Sequence, residues 1–452
     1  MRRYVLSTPS HGQDTQVGAA TLVVVMVLFL VMAMVAAFAN RNLIFEQRIA
    51  SNYYRGSVAM EAADAGVAWT EAQLNGLNVD AACQPTMAAG ANRFRDRYLS
   101  VDPNTQKLQV SIPPASNTVY FADCSLVAGQ GWQCRCPGMG AWTVNAGVAA
   151  ASAMQPNFRI QLMNQTRADA RRPGTIRILS RACSSSGTTS LANGVVQSDC
   201  DNELARREKQ LGSNWIETDF GFVSALKMPP AAPLTLAGGV ASGAAGLGLH
   251  NSSPSSSGIL LVAGGSAAGL DNSRLDSIPG TPGHLAVITN DSTLAATSAT
   301  PGRFFSMHFG MSMNSYINQP AMRQVICPAA PGDCAAILLG EYNRGVRMAW
   351  VIGPMALSSN ITLGTAASPM LVVVMGGLQL SGPMQLTGLF YATGDVTWAS
   401  PIGQLSLLNG ALMSEGNLTV SGNVDIWYQA GIIDALKNRT GSFVRLPGSW
   451  WN

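Results

Sequence analysis

The chain has 452 residues, of which only 12% are charged, and carries a net charge of +3. No run of Lys or Arg forms a stripe: "ARRPG" at 170–174 and "ARREK" at 205–209 are short and isolated, which excludes nucleic acid as a partner. The length fits about three units, or one long solenoid with a smaller module, and 46 glycines announce many turns.

From Ala19 to Ala39 every residue except Thr21 is apolar. A helix of that length spans about 30 Å, the thickness of a hydrocarbon core, and exceeds the apolar part of an ordinary secretory signal. Arg2 and Arg3 precede it, so the positive-inside rule puts the N-terminus in the cytoplasm and the body outside. Residues 40–74 contain no proline. Tyr54, Val58, Ala62, Ala65 and Trp69 recur there at helical spacing, with Glu46, Arg48, Arg55, Glu61, Asp64 and Glu71 between them. The spacing predicts that the membrane helix continues into water as an amphipathic one, a single rod of about 55 residues. A signal-anchor followed by an unrelated helix is the plainer alternative.

This layout resembles the type IV pilin-like proteins, whose precursors carry a short polar leader ending in Gly and cut just before the apolar run. The stretch "RNLIFEQRIASNYYRGSVAMEAADAGV" is similar to the N-terminal region of PilX-type minor pilins. The matching positions are Arg41, Asn42, Glu46, Arg48, Ala50, Asn52, Arg55, Ala59, Glu61, Ala62, Ala63, Ala65 and Gly66. The resemblance implies a leader over 1–18, cut between Gly18 and Ala19 by a prepilin peptidase. It also implies a filament helix over 19–74, on which Thr21, Val23, Arg41, Asn42, Glu46, Arg48, Arg55 and Glu61 are the positions of interest. Other minor pilins, the major pilin and a tip adhesin are the implied partners, and the inner membrane holds the subunit before assembly.

Two departures stand out. Val23 occupies the fifth mature position, where most major pilins have Glu, and no basic residue lies close to Gly18. A carboxylate at that depth is costly unless paired, and its usual partner is the amine of the neighbouring subunit. PilX-like minor pilins and the K-type minor pseudopilins of type II secretion both dispense with it. Its absence fits a subunit at the tip or at the start of a filament rather than a repeating one.

Residues 75–228 read as a mixed α+β module. "KLQVSIPP", "NFRIQLMNQT" and "GTIRILSRAC" have the pattern of half-buried strands, and "CDNELARREKQLG" is a short polar helix. "KMPPAAP" at 227–233 marks a boundary. Residues 229–452 then read as β-rich, with short strands punctuated by Gly377, Gly382, Gly388, Gly394, Gly403, Gly410, Gly416 and Gly422. That texture suits a β-solenoid, with a β-sandwich as the alternative. A helical interruption is expected near 300–345, where several methionines offer an adaptable face but the pattern fits ordinary packing. A short helix is expected near 429–438, and Trp450–Trp451 read as either an exposed anchor or a tuck for the terminus. The expected fold class is α+β: a long N-terminal transmembrane and amphipathic helix, a mixed α/β module and a solenoid-like β-rich region.

The eight cysteines, Cys83, Cys124, Cys134, Cys136, Cys183, Cys200, Cys327 and Cys334, all follow the membrane segment. In an exported chain they read as up to four disulfides, and only a local Cys327–Cys334 loop is suggested by spacing. Cys134 and Cys136 lack the CxxC spacing and neighbouring histidines of a structural zinc site. "DNSRLDSIPG" at 271–280 does not fit a calcium-binding EF-hand. No GxSxG, HExxH or phosphate-binding loop is present. A polysaccharide-cleaving β-helix would need clustered acidic or basic side chains, and 361–428 offers only Asp395, Glu415 and Asp425.

The expected function is therefore that of a non-catalytic minor pilin without cofactor or metal, first single-pass in a bacterial inner membrane with a periplasmic body, then at a pilus tip or the cell surface. One alternative is a K-type minor pseudopilin, a group whose large insertion is mainly helical. The other is a membrane-anchored adhesin or envelope scaffold.

Overall fold

A computed structural model describes residues 17–102, 107–111, 122–136, 155–164, 174–185, 188–190, 196–198, 200, 203–208, 211–241, 244–329, 332–401 and 403–451. Helix Val17–Leu74 runs unbroken for 58 residues, about 87 Å, with no proline to interrupt it. Its C-terminal third lies across an antiparallel sheet of six strands. Their spatial order is Gly441–Arg445, Ser213–Ser224, Thr175–Cys183, Asn157–Met163, Ala122–Val127 and Gly131–Arg135. Alternation decides which face meets the helix: Phe158, Ile160, Ile176, Ile178 and Ile216 are buried on it. Disulfides Cys124–Cys134 and Cys83–Cys136 staple this module, and Cys183–Cys200 lies at the far end of the strand Thr175–Cys183.

The strand Gly441–Arg445 corrects the expected division at 229–452, because it crosses back to become an edge of this sheet. Asn75, just past the end of the long helix, clasps it there. The Asn75 side-chain amide donates to the Phe443 carbonyl, and its oxygen accepts from the Phe443 N–H, both at 2.8 Å. The final residues follow the same path. Trp451 and Glu217 exchange backbone hydrogen bonds of 2.9 Å, while the Arg177 guanidinium sits 4.9 Å above the Trp451 ring. The terminus is tucked by its backbone, yet both tryptophan rings stay half exposed.

Residues 234–427 build two sheets in which every strand pair is parallel, unlike the antiparallel strands of a sandwich. Partners lie about 20 residues apart in sequence, as when Leu371, Leu389 and Ala411 follow one another across the sheet. Strands such as Met370–Val374 are buried on both faces, which explains a continuous apolar run without alternation. One face supplies Val372, Val374 and Phe390 to an interior core. The other supplies Trp350, Leu371, Val373 and Tyr391, which are covered by Phe304, Phe305, Phe309 and Tyr316 from helices Arg303–Phe309 and Met313–Ile317. Aromatic residues form the centre of this packing, and Met311, Met313 and Met322 pack against its edge. Strands Leu378–Ser381, Val396–Ala399 and Leu418–Ser421 alternate buried and exposed, so the second sheet faces solvent on one side.

The order along the stack is not the order in sequence. The chain enters near the middle at Leu234–Leu236, which pairs with the end of strand Ser406–Ser414. It proceeds outward to Val287–Ile288, crosses back through the helices, re-enters at Arg323–Val325 and climbs to meet its own beginning.

Candidate membrane and filament interface

The long helix divides into two parts by what covers it. Residues 20–50 are exposed along their whole length, including Leu22, Val23, Phe29 and Phe38, the last two at 74% and 66%. A helix this long and apolar is suited to cross a membrane. In water the bare surface would be strongly unfavourable, since each fully exposed large apolar side chain forgoes about 1.5–3 kcal/mol of burial. Lipid or other helices of the same kind must cover it.

The second part is seated by small residues. Ala59, Ala62, Ala63, Val67, Thr70 and Leu74 are buried, and Gly66 lies against Phe158 and Ser180. A Cβ at Gly66 would lie 2.9 Å from Phe158 Cδ2 and collide with Ser180 Oγ, so backbone and sheet touch here. Gly212 makes the reciprocal approach from the sheet side, against the backbone of Arg55 and Gly56. The seam is therefore shifted from the predicted stripe: Tyr54 is 58% exposed and Val58, Ala65 and Trp69 are only partly buried. The body first meets the helix beyond Tyr54, and small side chains permit an approach that large ones would block.

The predicted positions sort accordingly. Gly18 and Ala19 lie in the first turn of the helix, while residues 1–16 of the expected leader fall outside the described residues. Thr21 and Val23 sit on the bare apolar part. Arg41 lies 5.6 Å from the centre of the Phe45 ring, and Asn42 is exposed. Glu46, Arg48 and Glu61 are exposed and have neither an ion pair nor a side-chain hydrogen bond among the described residues. Arg55 is half buried beside Gly212. The six cysteines of the helix-and-sheet module pair as described above, and Cys327 pairs with Cys334.

The three carboxylates weighed for catalysis all have partners. Asp395 Oδ1 accepts from the Asn417 N–H at 2.7 Å, and Glu415 accepts from the Tyr391 hydroxyl. Asp425 belongs to a cluster that the sequence did not reveal, its members lying far apart in the chain. His250 Nδ1 is 2.7 Å from Asp276, its Nε2 is 3.2 Å from Asp425, and Arg274 donates to Asp425 at 2.7 Å. The His250 ring stacks on Trp427 at 4.1 Å. Burial pulls the His250 pKa down, but hydrogen bonds to Asp425 and Asp276, and their charges, outweigh it and hold the pKa above the ordinary value. Asp425 is held below the usual carboxylate range by the His250 hydrogen bond, against burial, and by Arg274.

A family model described as PilX N-terminal matches residues 18–68, from the proposed cleavage glycine through the start of the seated part of the helix. Neither a curated protein nor a solved structure matches the chain. The long bare apolar helix that runs into a small-residue seam thus carries a PilX N-terminal domain over residues 18–68, which supports a relation to the minor pilins of type IV pili.

Proposed function

We propose that this protein is a minor pilin that acts at the start of pilus assembly or at the pilus tip. A prepilin peptidase cuts between Gly18 and Ala19. The apolar helix holds the mature subunit in the inner membrane with its body in the periplasm, until it joins a bundle of like helices. Exchanging lipid for protein contacts is feasible because both environments are apolar. Other minor pilins and the major pilin supply the neighbouring helices, and a tip adhesin is a further partner of the body.

The observation that carries this reading is the bare helix itself: an exposed apolar stretch followed by Glu46, Arg48 and Glu61, which have no ion pair or side-chain hydrogen bond among the described residues. Such charges are positioned for pairing with neighbouring subunits. Val23 leaves no carboxylate in the apolar stretch to receive the amine of a following subunit, and the parallel-strand body is bulky for a repeating unit. The role is structural rather than catalytic, in keeping with the engagement of Asp395, Glu415 and Asp425 by neighbouring groups.

The test is intact mass and N-terminal sequencing of membrane-extracted protein from cells with and without an active prepilin peptidase. A start at Ala19 only when the peptidase is present is the expected result. An uncut chain, or cleavage near Ala39, would refute the proposal.

A further inference from the structure

Where the helix-and-sheet module meets the parallel stack lies a cavity of about 420 Å³, a size that takes a small molecule. Arg93, Arg95, Arg347 and Arg439 line it, and Asp96 is the one carboxylate among its lining residues. In a chain with so few charged residues this is a marked local excess of positive charge.

Little of that charge is neutralised by neighbouring groups. Asp96 is taken up by Arg93, which grips both its oxygens, Nε to Oδ2 at 2.7 Å and Nη2 to Oδ1 at 3.0 Å. Arg95 donates only to neutral carbonyls, Gly441 at 2.6 Å and Arg439, and its guanidinium lies 5.7 and 5.4 Å from the Phe222 and Phe443 rings. Its Nε remains 3.9 Å from Asp96. Arg347 spends Nη1 on the carbonyls of Tyr342 and Val346, at 2.8 and 2.9 Å, and lies 4.2 Å from the centre of the Tyr342 ring. Its Nε is buried without an acceptor, and Nη2 has none among the described residues.

These contacts fix the guanidinium groups in place without cancelling their charge. Burial lowers the Arg95 pKa to about 9, and the neighbouring Arg93 and Arg347 push it the same way. Arg347 is lowered too, by burial and by Arg93. Crowded, partly desolvated cations that share the single carboxylate of Asp96 are costly, and an anion in the cavity relieves that cost.

We propose that this cavity binds a small carboxylate-bearing ligand, held by the guanidinium groups of Arg347 and Arg95. A planar guanidinium fork matches a planar carboxylate better than a point anion. Asn92, Asn438 and Ser368 on the lining offer hydrogen bonds to hydroxyl groups, which makes an acidic sugar the best chemical match. Binding here is independent of how the N-terminal helix is used.

The experiment is isothermal titration of the full chain in detergent micelles with glucuronate, glucose and inorganic phosphate. Glucuronate is expected to saturate with a Kd below about 1 mM, more weakly as salt rises, while glucose gives no saturable heat. Saturating glucuronate should also raise the thermal midpoint of the wild-type chain, a readout that needs no variant. Arg347→Gln should weaken binding about tenfold or more. The milder Arg439→Gln, at an exposed position, should weaken it less and serves if the first variant fails to fold. The proposal is overturned by the absence of saturable glucuronate binding up to about 10 mM. Tighter binding of phosphate than of glucuronate, or unchanged affinity in a folded variant, would overturn it equally.

Discussion

Replacing Gly66 with Ala tests how the long helix is seated, because two physical effects oppose each other there. In an exposed helix interior the change stabilises by about 1 kcal/mol, since glycine has the greater freedom to lose on folding. At Gly66 the new methyl would lie 2.9 Å from Phe158 Cδ2 and collide with Ser180 Oγ, both on fully buried side chains. Overpacking of that kind costs about 1–3 kcal/mol. Neither neighbour is the free end of a flexible chain, so the clash wins and the expected net effect is a loss of about 1–2 kcal/mol. Gly56, on the same helix, has nothing within 4 Å of its would-be Cβ. There Ala should stabilise by about 0.5–1 kcal/mol. The assay is denaturant unfolding of the full chain in detergent micelles, followed by tryptophan fluorescence. Trp69 and Trp132 have ring centres 6.0 and 4.7 Å from that of Phe158 and report on this interface directly. A Gly66→Ala protein as stable as wild type, with Gly56→Ala no better, would refute the tight-seam account.

Other consequences follow from the body. The raised pKa of His250 means that its contribution to stability is complete below the ordinary imidazole range and lost as pH rises through the raised value. Melting curves between about pH 5 and 8 should therefore show a decline toward high pH that His250→Gln flattens. Removing the Cys83–Cys136 bridge, whose cysteines are 53 residues apart, should cost about 4 kcal/mol, against about 2 kcal/mol for Cys327–Cys334 at a separation of 7. Paired Ser variants compared by urea unfolding check that order. Gly410 has φ of 134°, and a Cβ there would collide with the Gly388 carbonyl of the next strand. Gly410→Ala should destabilise by about 2 kcal/mol or more, read as a lowered midpoint of unfolding.

Much was legible from local pattern. The apolar run at 19–39 and the proline-free stretch after it read directly as one helix, because both properties are local. The glycine-punctuated texture pointed to short strands, and strands Leu378–Ser381, Val396–Ala399 and Leu418–Ser421 lie between those glycines. The helical interruption and the helix Ala430–Asn438 also fall where their patterns placed them. Of the periodic residues Tyr54, Val58, Ala62, Ala65 and Trp69, Ala62 is buried and Trp69 packs on Phe158, while the seam centres on the neighbouring small residues Ala59, Ala63 and Gly66, which the period of larger side chains does not mark. The return of Gly441–Arg445 to the antiparallel sheet left no local sign, since an edge strand reads alike whichever sheet it joins.

The sequence by itself determined a membrane-competent helix, its resemblance to a pilin N-terminus, a body that carries all eight cysteines and an α+β composition. These rest on composition, periodicity and short spacings, which neighbouring residues carry among themselves. Only the tertiary structure decided the partners of the six cysteines of the first module, the mid-stack entry at Leu234–Leu236, the His250 cluster and the arginine-lined cavity. Arg95, Arg347 and Arg439 are separated by long stretches of chain and share a cavity because a C-terminal strand crosses back to the first module. Proximity of that kind is created by chain topology, and no local pattern encodes it.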